Sequence, residues 1–256
     1  MTDYSEIATR FARDTAQHDM TALHDDGLYR HVRFAPKESS LFWWDLITWP
    51  YNLIVNGSHG SFHFCRFGED TKDMFVLFRD SRAGGSINPE YWEEKLRAGK
   101  AKDWSESKFR SWLVEEAAAL EARYPGTVEA IGRQILNSDE HDIQYEETAR
   151  YACGQFRHGD VTLRFPDEWD LSFEEFDWQY LWQCHAIVSG IARYDAAKAA
   201  APRRITAIRK VQDGDRWRVK WRLDGRPRVR TFTTAADARD CQRYVMAQAA
   251  EGDRRG

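Results

Sequence analysis

The spacing of apolar side chains changes several times along this chain, and each change marks an element. Ile7, Ala8 and Phe11 recur on one face with charges opposite, which predicts an amphipathic N-terminal helix. From Met20 the period shortens. Met20 to Leu23 and Leu28 to Phe34 read as two strands around the turn Asp25-Asp26-Gly27. Leu41 to Trp49 and Tyr51 to Val55 are aromatic and β-branched runs split by Pro50. Asn56-Gly57 ends the second run, and Ser61 to Phe67 supplies another strand. The expectation is an antiparallel sheet of about four or five strands. Strict alternation puts Phe42, Trp44 and Leu46 on one side and Trp43 and Asp45 on the other, which leaves Trp43 open to a partner.

Helical spacing returns from Asp70 to Arg79, led by Met74, Phe75 and Phe78. Asn88 caps the next helix and Pro89 opens it, with Tyr91, Trp92 and Leu96 on one face. Ser105 or Ser107 starts a helix through Phe109, Trp112, Leu113 and Leu120, which Pro125-Gly126 stops. Thr127 restarts through Ile131 and Ile135, and the stretch from Asp142 to Gln155 leans helical. Val161 to Phe165 reads as a short strand. Ser172-Phe173-Glu174-Glu175 has capping-box spacing, so a long helix is expected from there to about Ala200. Its apolar face holds Tyr180, Leu181, Cys184, Ile187, Val188 and Ile191. Pro202 ends it. The fold class is therefore α+β: an antiparallel sheet with packed helices and a long helix over residues 1–200, then a small three-stranded sheet plus helix over residues 203–250.

In that second part Ile205 to Val211, Arg216 to Leu223 and Arg226 to Thr233 read as strands, joined by Asp213-Gly214-Asp215 and Asp224-Gly225. Thr234 and Asp237 cap a helix through Ala238, Cys241 and Val245. Arg216, Arg218, Lys220 and Arg222 point one way along the middle strand, and Trp217, Val219 and Trp221 the other. Arg226, Arg228 and Arg230 have the same parity and are expected to join them, giving seven cations on one face. Phe232 breaks that pattern, which predicts a bulge there.

Charge sharpens this division. Arg203 to Arg230 holds eleven Lys or Arg and three Asp, a balance of +8, so with a net charge of −4 the remainder of the chain carries −12. A sheet face this cationic repels itself unless anions approach. Phosphate backbones supply them, and about four to six such contacts would give log affinity a slope near −4 to −5 against log salt. A small sheet also fits the major groove of a duplex.

The segments Trp217-Arg218-Val219-Lys220-Trp221-Arg222, Asp224-Gly225-Arg226, Arg230-Thr231-Phe232 and Thr234-Ala235-Ala236-Asp237-Ala238 resemble the arm-type DNA-binding domain of phage and mobile-element tyrosine integrases. That family's three strands and helix place the sheet in the major groove, as AP2 domains do. The resemblance spans roughly Arg203 to Ala249. It implies binding to double-stranded DNA through Arg209, Arg216, Arg218, Lys220, Arg222, Arg226, Arg228 and Arg230. The module stands at the C-terminal side here, and the family's Arg, His-x-x-Arg and Tyr constellation is not recognisable upstream, so recombination is not implied. Residues 14–197 resemble an uncharacterised family of bacteriophage and prophage proteins, through His24-Asp25-Asp26-Gly27-Leu28-Tyr29-Arg30-His31, Trp44-Asp45-Leu46-Ile47-Thr48-Trp49-Pro50 and Ile87-Asn88-Pro89. That likeness carries an origin and no chemistry.

Other clusters combine residue types that catalysis uses. His59, His63 and Cys65 lie close together and are all zinc-ligand types, but no fourth ligand is evident nearby. His24, Asp25, Asp26 and His31 suit a divalent metal or acid–base pair, yet turn chemistry explains the aspartates, and His31 is placed to face a partner across the hairpin. The acidic run Asp167, Glu168, Asp170, Glu174 and Glu175 suits a helix N-terminus. No Walker loop, GxGxxG or GxSxG occurs. Cys65, Cys153, Cys184 and Cys241 form no CxxC pair. No catalytic residue, metal or cofactor is assigned. No apolar run is long enough for a membrane span and no signal peptide is evident, so a cytoplasmic protein of a bacterial host cell is expected. The leading expectation is a non-enzymatic DNA-binding protein of phage or mobile-element origin. Two alternatives stand beside it: a metal-dependent, nuclease-like enzyme targeted by the basic module, and a host-takeover or anti-defence protein that binds a host protein.

Overall fold

The computed structural model describes residues 4–68, 72–79, 87–167, 171–200 and 205–253. Asp70, Glu168, Asp170, Pro202 and Arg203, which entered the sequence reading, lie outside them. The chain divides into two compact units, Met1–Ala192 and Arg193–Gly256.

The first unit opens with α1 (Ser5–Asp14), followed by β1 (His18–Asp26), β2 (Tyr29–Pro36), β3 (Trp44–Trp49), β4 (Asn52–Gly57) and β5 (Gly60–Cys65). These strands form an antiparallel meander, each pairing with the next. Two short helices, α2 (Met74–Arg79) and α3 (Pro89–Glu93), precede β6 (Leu96–Ala98). β6 pairs with β5, so the sheet has six strands where four or five were expected. The same pairing corrects the placement of Leu96. The Asn88 side chain does accept from the Tyr91 N–H, and Pro89 sits in the first turn, but the helix stops at Glu93. Leu96 then lies opposite Phe64 in the ladder. Edge backbone groups of β5 gain partners this way, which outweighs the helical periodicity of a five-residue segment.

One sheet face carries Val32, Phe34, Trp44, Leu46, Leu53, Val55, Phe62 and Phe64, all buried. Alternation along β3 is as expected: Trp44 and Leu46 point inward and Asp45 outward. Helix α7 (Trp178–Ala200) covers this face, with the Trp182 ring 5.8 Å from Trp44 and Tyr180 5.4 Å from Phe62. Phe11 of α1 and Phe78 of α2 close the flanks against Trp44 and Phe64. Gly190 is what lets α7 approach so closely. A Cβ there would stand 2.7 Å from Leu46 Cδ1 and 3.1 Å from Phe34 Cε2.

A second apolar cluster belongs to α4 (Glu106–Glu121), α5 (Thr127–Ile131) and α6 (Glu146–Gln155). Ser105 caps α4 by accepting from the Lys108 N–H. Ile135 lies in a π-helical turn, Gly132–Leu136, that continues α5. The expected strand at Val161 is reduced to a single bridge with His158. β7 (Lys102–Trp104) pairs with β8 (Glu174–Phe176), and that pairing overturns the capping box expected at Ser172. Glu174 and Glu175 are in a strand, and Asp177 caps α7 instead, its carboxylate accepting from the Gln179 N–H at 2.8 Å.

The second unit contains β9 (Ile205–Asp213), β10 (Arg216–Leu223), β11 (Arg226–Phe232) and α8 (Ala235–Asp253). The sheet is antiparallel with β10 central. Thr234 accepts from the Asp237 N–H at 3.2 Å and donates to its carboxylate at 2.7 Å, so both capping residues act as read. Ala238, Cys241, Gln242 and Val245 recur on the inward face of α8. Val219, Ala238 and Val245 are the fully covered residues of a small core, flanked by half-buried Trp217, Trp221, Leu223 and Phe232.

Candidate nucleic-acid interface

Register determines which cations share a surface. Directly opposed residues of an antiparallel pair point to the same face. Along β10 the alternation is unbroken: Arg216, Arg218, Lys220 and Arg222 are exposed, and Trp217, Val219 and Trp221 are turned toward the core. In β9, Arg209 lies opposite Lys220, Val211 opposite Arg218 and Asp213 opposite Arg216. The open face therefore carries Arg209, Arg216, Arg218, Lys220 and Arg222.

The three arginines of β11 are elsewhere, which corrects the expectation of seven cations on one face. Arg230 is paired with Val219, Arg228 with Trp221 and Arg226 with Leu223. Their side chains are on the indole side, and Pro227, Val229 and Thr231 are the β11 residues beneath the open face. The cause is the two-residue turn Asp224-Gly225, with φ positive at both positions (52° and 77°), which fixes Leu223 opposite Arg226. Counting parity along the chain misleads here; counting through the turn gives the pairing from sequence alone.

The bulge is also displaced. Phe232 pairs with Trp217 in unbroken register. The irregularity lies in β9, where Ala207 and Ile208 together oppose Trp221. Ala207 adopts φ 55°, the left-handed conformation that one type of bulge gives to a glycine. The extra residue reverses the parity of what precedes it. Ile205 thus falls opposite Leu223 on the apolar side, and Thr206 opposite Arg222 on the open one.

Electrostatics on the open face are almost uncompensated. Arg218 Nη1 sits 2.7 Å from an Asp213 carboxylate oxygen. Among the described residues Arg209, Arg216, Lys220 and Arg222 have no carboxylate within ion-pair distance. Arg209 and Lys220 are directly cross-strand, an arrangement of like charges that destabilises a sheet. At roughly 7 Å in water each neighbouring like pair costs about 0.6 kcal/mol, small enough to tolerate and relieved by any polyanion. A shallow depression on this sheet is lined by the open-face residues Thr206, Arg209, Lys220, Arg222, Pro227 and Val229 and also by Ala207, Trp221 and Arg228, the last two belonging to strand positions whose side chains alternate to the indole side. On the opposite side the Lys210 ammonium lies 4.9 Å from the Trp217 ring centroid. Sequence reading missed Asp213 as a counter-ion and Thr206, Pro227, Val229 and Thr231 as members of the face.

None of the candidate clusters of the first unit brings three metal-ligand side chains together among the described residues. His59 sits against Trp178 and Trp182, at 4.8 and 4.6 Å between ring centroids, while His63 is hydrogen-bonded to Asn52 and tilted against Trp49, 5.5 Å between ring centroids. His24 is exposed on the edge strand β1. His31 lies directly opposite His24 across the β1–β2 hairpin, as expected, while its hydrogen bond goes to Asp45 of β3 at 2.9 Å, and Arg33 grips the same carboxylate with two bonds of 2.8 Å. Burial alone would push the Asp45 pKa up. The hydrogen bonds from Arg33 and His31 outweigh it and hold Asp45 below the ordinary carboxylate range. Arg33 also lies over the Trp43 ring, so Trp43 is half-buried. Glu175 accepts from the Ser105 hydroxyl and Asp167 pairs with Arg164. Cys153 is pushed up to about 12 by burial, and burial raises Cys184 as well, which leaves both thiols unreactive at neutral pH. Among the described residues no three His, Cys, Asp or Glu side chains are grouped to hold a metal. No described helix is long and apolar enough to cross a membrane.

Comparison with known proteins gives no relative to argue from: no protein-family model, no curated protein and no solved structure matches the chain.

Proposed function

We propose that the second unit binds double-stranded DNA through the open face of its sheet. The observation that carries this reading is the row Arg216, Arg218, Lys220 and Arg222, joined by Arg209, all exposed and with only Arg218 in an ion pair among the described residues. Counterion release from a duplex gives such a row its affinity, and guanidinium groups match both phosphate oxygens and guanine edges. The likeness of this segment to integrase arm domains supports the same partner. Phage or mobile-element origin belongs to this reading, as the likeness of residues 14–197 supports.

The test is binding of the full chain to a 24-base-pair duplex over a range of salt concentrations. Replacing Arg209, Lys220 and Arg222 with Ala should make the slope of log affinity against log salt less negative by about 2 to 3, at roughly 0.9 per phosphate contact. An unchanged slope would remove the proposal.

A further inference from the structure

The register that takes Arg226, Arg228 and Arg230 off the open face leaves them without an assigned role. All three are exposed, alternate along one side of an edge strand, and have no carboxylate partner among the described residues. Nor are they committed to the core. Helix α8 packs chiefly beneath β9 and less beneath β10 and β11, so the underside of β11 is not filled. The β10–β11 ribbon is thus cationic on both faces: four charges on the upper side of β10 and three on the lower side of β11.

We infer that these three arginines form a second phosphate track, so that one duplex is gripped from both faces of the β10–β11 ribbon. This rests on the duplex-binding reading above. A groove has two phosphate walls, and the major groove is about 12 Å wide, enough to admit a two-stranded ribbon. Side chains on one face of a sheet reach about 5 Å from its mean plane, half the spacing of stacked sheets, and arginine reaches further. Charges on opposite faces of one ribbon therefore stand apart by about the width of the groove they would enter. The ribbon would go in with β11 leading. The open-face row would meet one wall, and Arg226, Arg228 and Arg230 the other. Pro227, Val229 and Thr231, the neutral residues of β11, would lie nearest the bases. A sheet lying flat in the groove uses its open face alone and gives the lower arginines nothing to contact.

Salt dependence of binding to the same 24-base-pair duplex separates these cases, using the full chain. The triple variant Arg226→Gln, Arg228→Gln, Arg230→Gln should reduce the magnitude of the slope by about 2 to 3, as much as the open-face variant does. The corresponding triple Lys variant should keep the slope, because a phosphate contact needs only the charge. Arg239→Ala with Arg243→Ala removes charge from the exposed side of α8 and should leave the slope unchanged. A Gln variant with the wild-type slope, alongside a weakened open-face variant, would overturn the second track and leave duplex binding standing. Loss of slope in the α8 variant, or in the Lys variant, would also overturn it, because bulk charge or folding would then explain the effect. Wild-type slopes in the open-face and lower-face variants alike would remove both readings.

Discussion

Ala207 concentrates the cost of building the open face. A non-glycine residue in the left-handed region is strained by contact of Cβ with the following carbonyl, by about 1–2 kcal/mol. Ala207 takes that conformation at φ 55° because the inserted residue is what returns Ile205 to the apolar side. Ala207→Gly relieves the contact without disturbing the register. Stabilisation of the second unit by about 1 kcal/mol is expected, net of the backbone entropy that glycine adds to the unfolded chain. Differential scanning calorimetry of the full chain would show this as a rise in the transition of that unit, and a fall would mean that the bulge is held in another way. Asp213 matters at the same scale, because its carboxylate neutralises Arg218 and makes Arg209, Lys220 and Arg222 the stronger candidates for phosphate contact.

At the scale of elements, the first unit depends on how closely α7 lies on its sheet. Glycine inside a helix costs about 1 kcal/mol relative to alanine, so Gly190 is unfavourable for the helix by itself. Its value is the approach to Leu46 and Phe34, which leaves no room for a methyl group. Gly190→Ala should therefore destabilise the first unit despite improving helix propensity, by about 1–3 kcal/mol as in other overpacked cores. A lowered denaturation midpoint in urea, followed by tryptophan fluorescence, is the expected result. A raised midpoint would show that propensity outweighs the clash.

At the scale of the whole molecule, the buried His59 and the half-buried His185 contribute to the response to acid. Burial lowers the pKa of His185 to about 4, and burial, reinforced by Arg10 and opposed by Asp14, lowers that of His59. Above the unfolded value of about 6.5 both residues are neutral in either state and contribute nothing to pH dependence. As pH falls below it, the unfolded chain takes up protons that the folded chain refuses, and stability declines. For His185 alone the loss by pH 4 is at most on the order of 3 kcal/mol, at about 1.4 kcal/mol per pKa unit. Asp45 and Asp73, both held below their ordinary range, act in a separate and more acid window, where protonation breaks their pairs with Arg33 and Arg30. The melting temperature should fall between pH 6.5 and 4.5 and fall less steeply in His185→Leu. Parallel curves would exclude His185 as the source.

The local pattern by itself determined the strands Met20 to Phe34, the caps at Asn88 and Thr234, the strict alternation of β10 and the two-residue turn at Asp224-Gly225, because each follows from backbone geometry within a few residues; it left the cap of α4 open between Ser105 and Ser107, and the structure places it at Ser105. Pairing between distant segments was decided only in the tertiary structure: Leu96 joined the sheet as an edge strand, Glu174 and Glu175 left the helix to pair with β7, and Asp45 gained Arg33 and His31 as partners. The division of the cations lies between these cases. Their number and alternation are in the sequence, and the face of the β11 arginines follows from it once residues are counted through the Asp224-Gly225 turn; the face of the β9 residues before Ile208 was decided only by the bulge at Ala207, which no local signal marks.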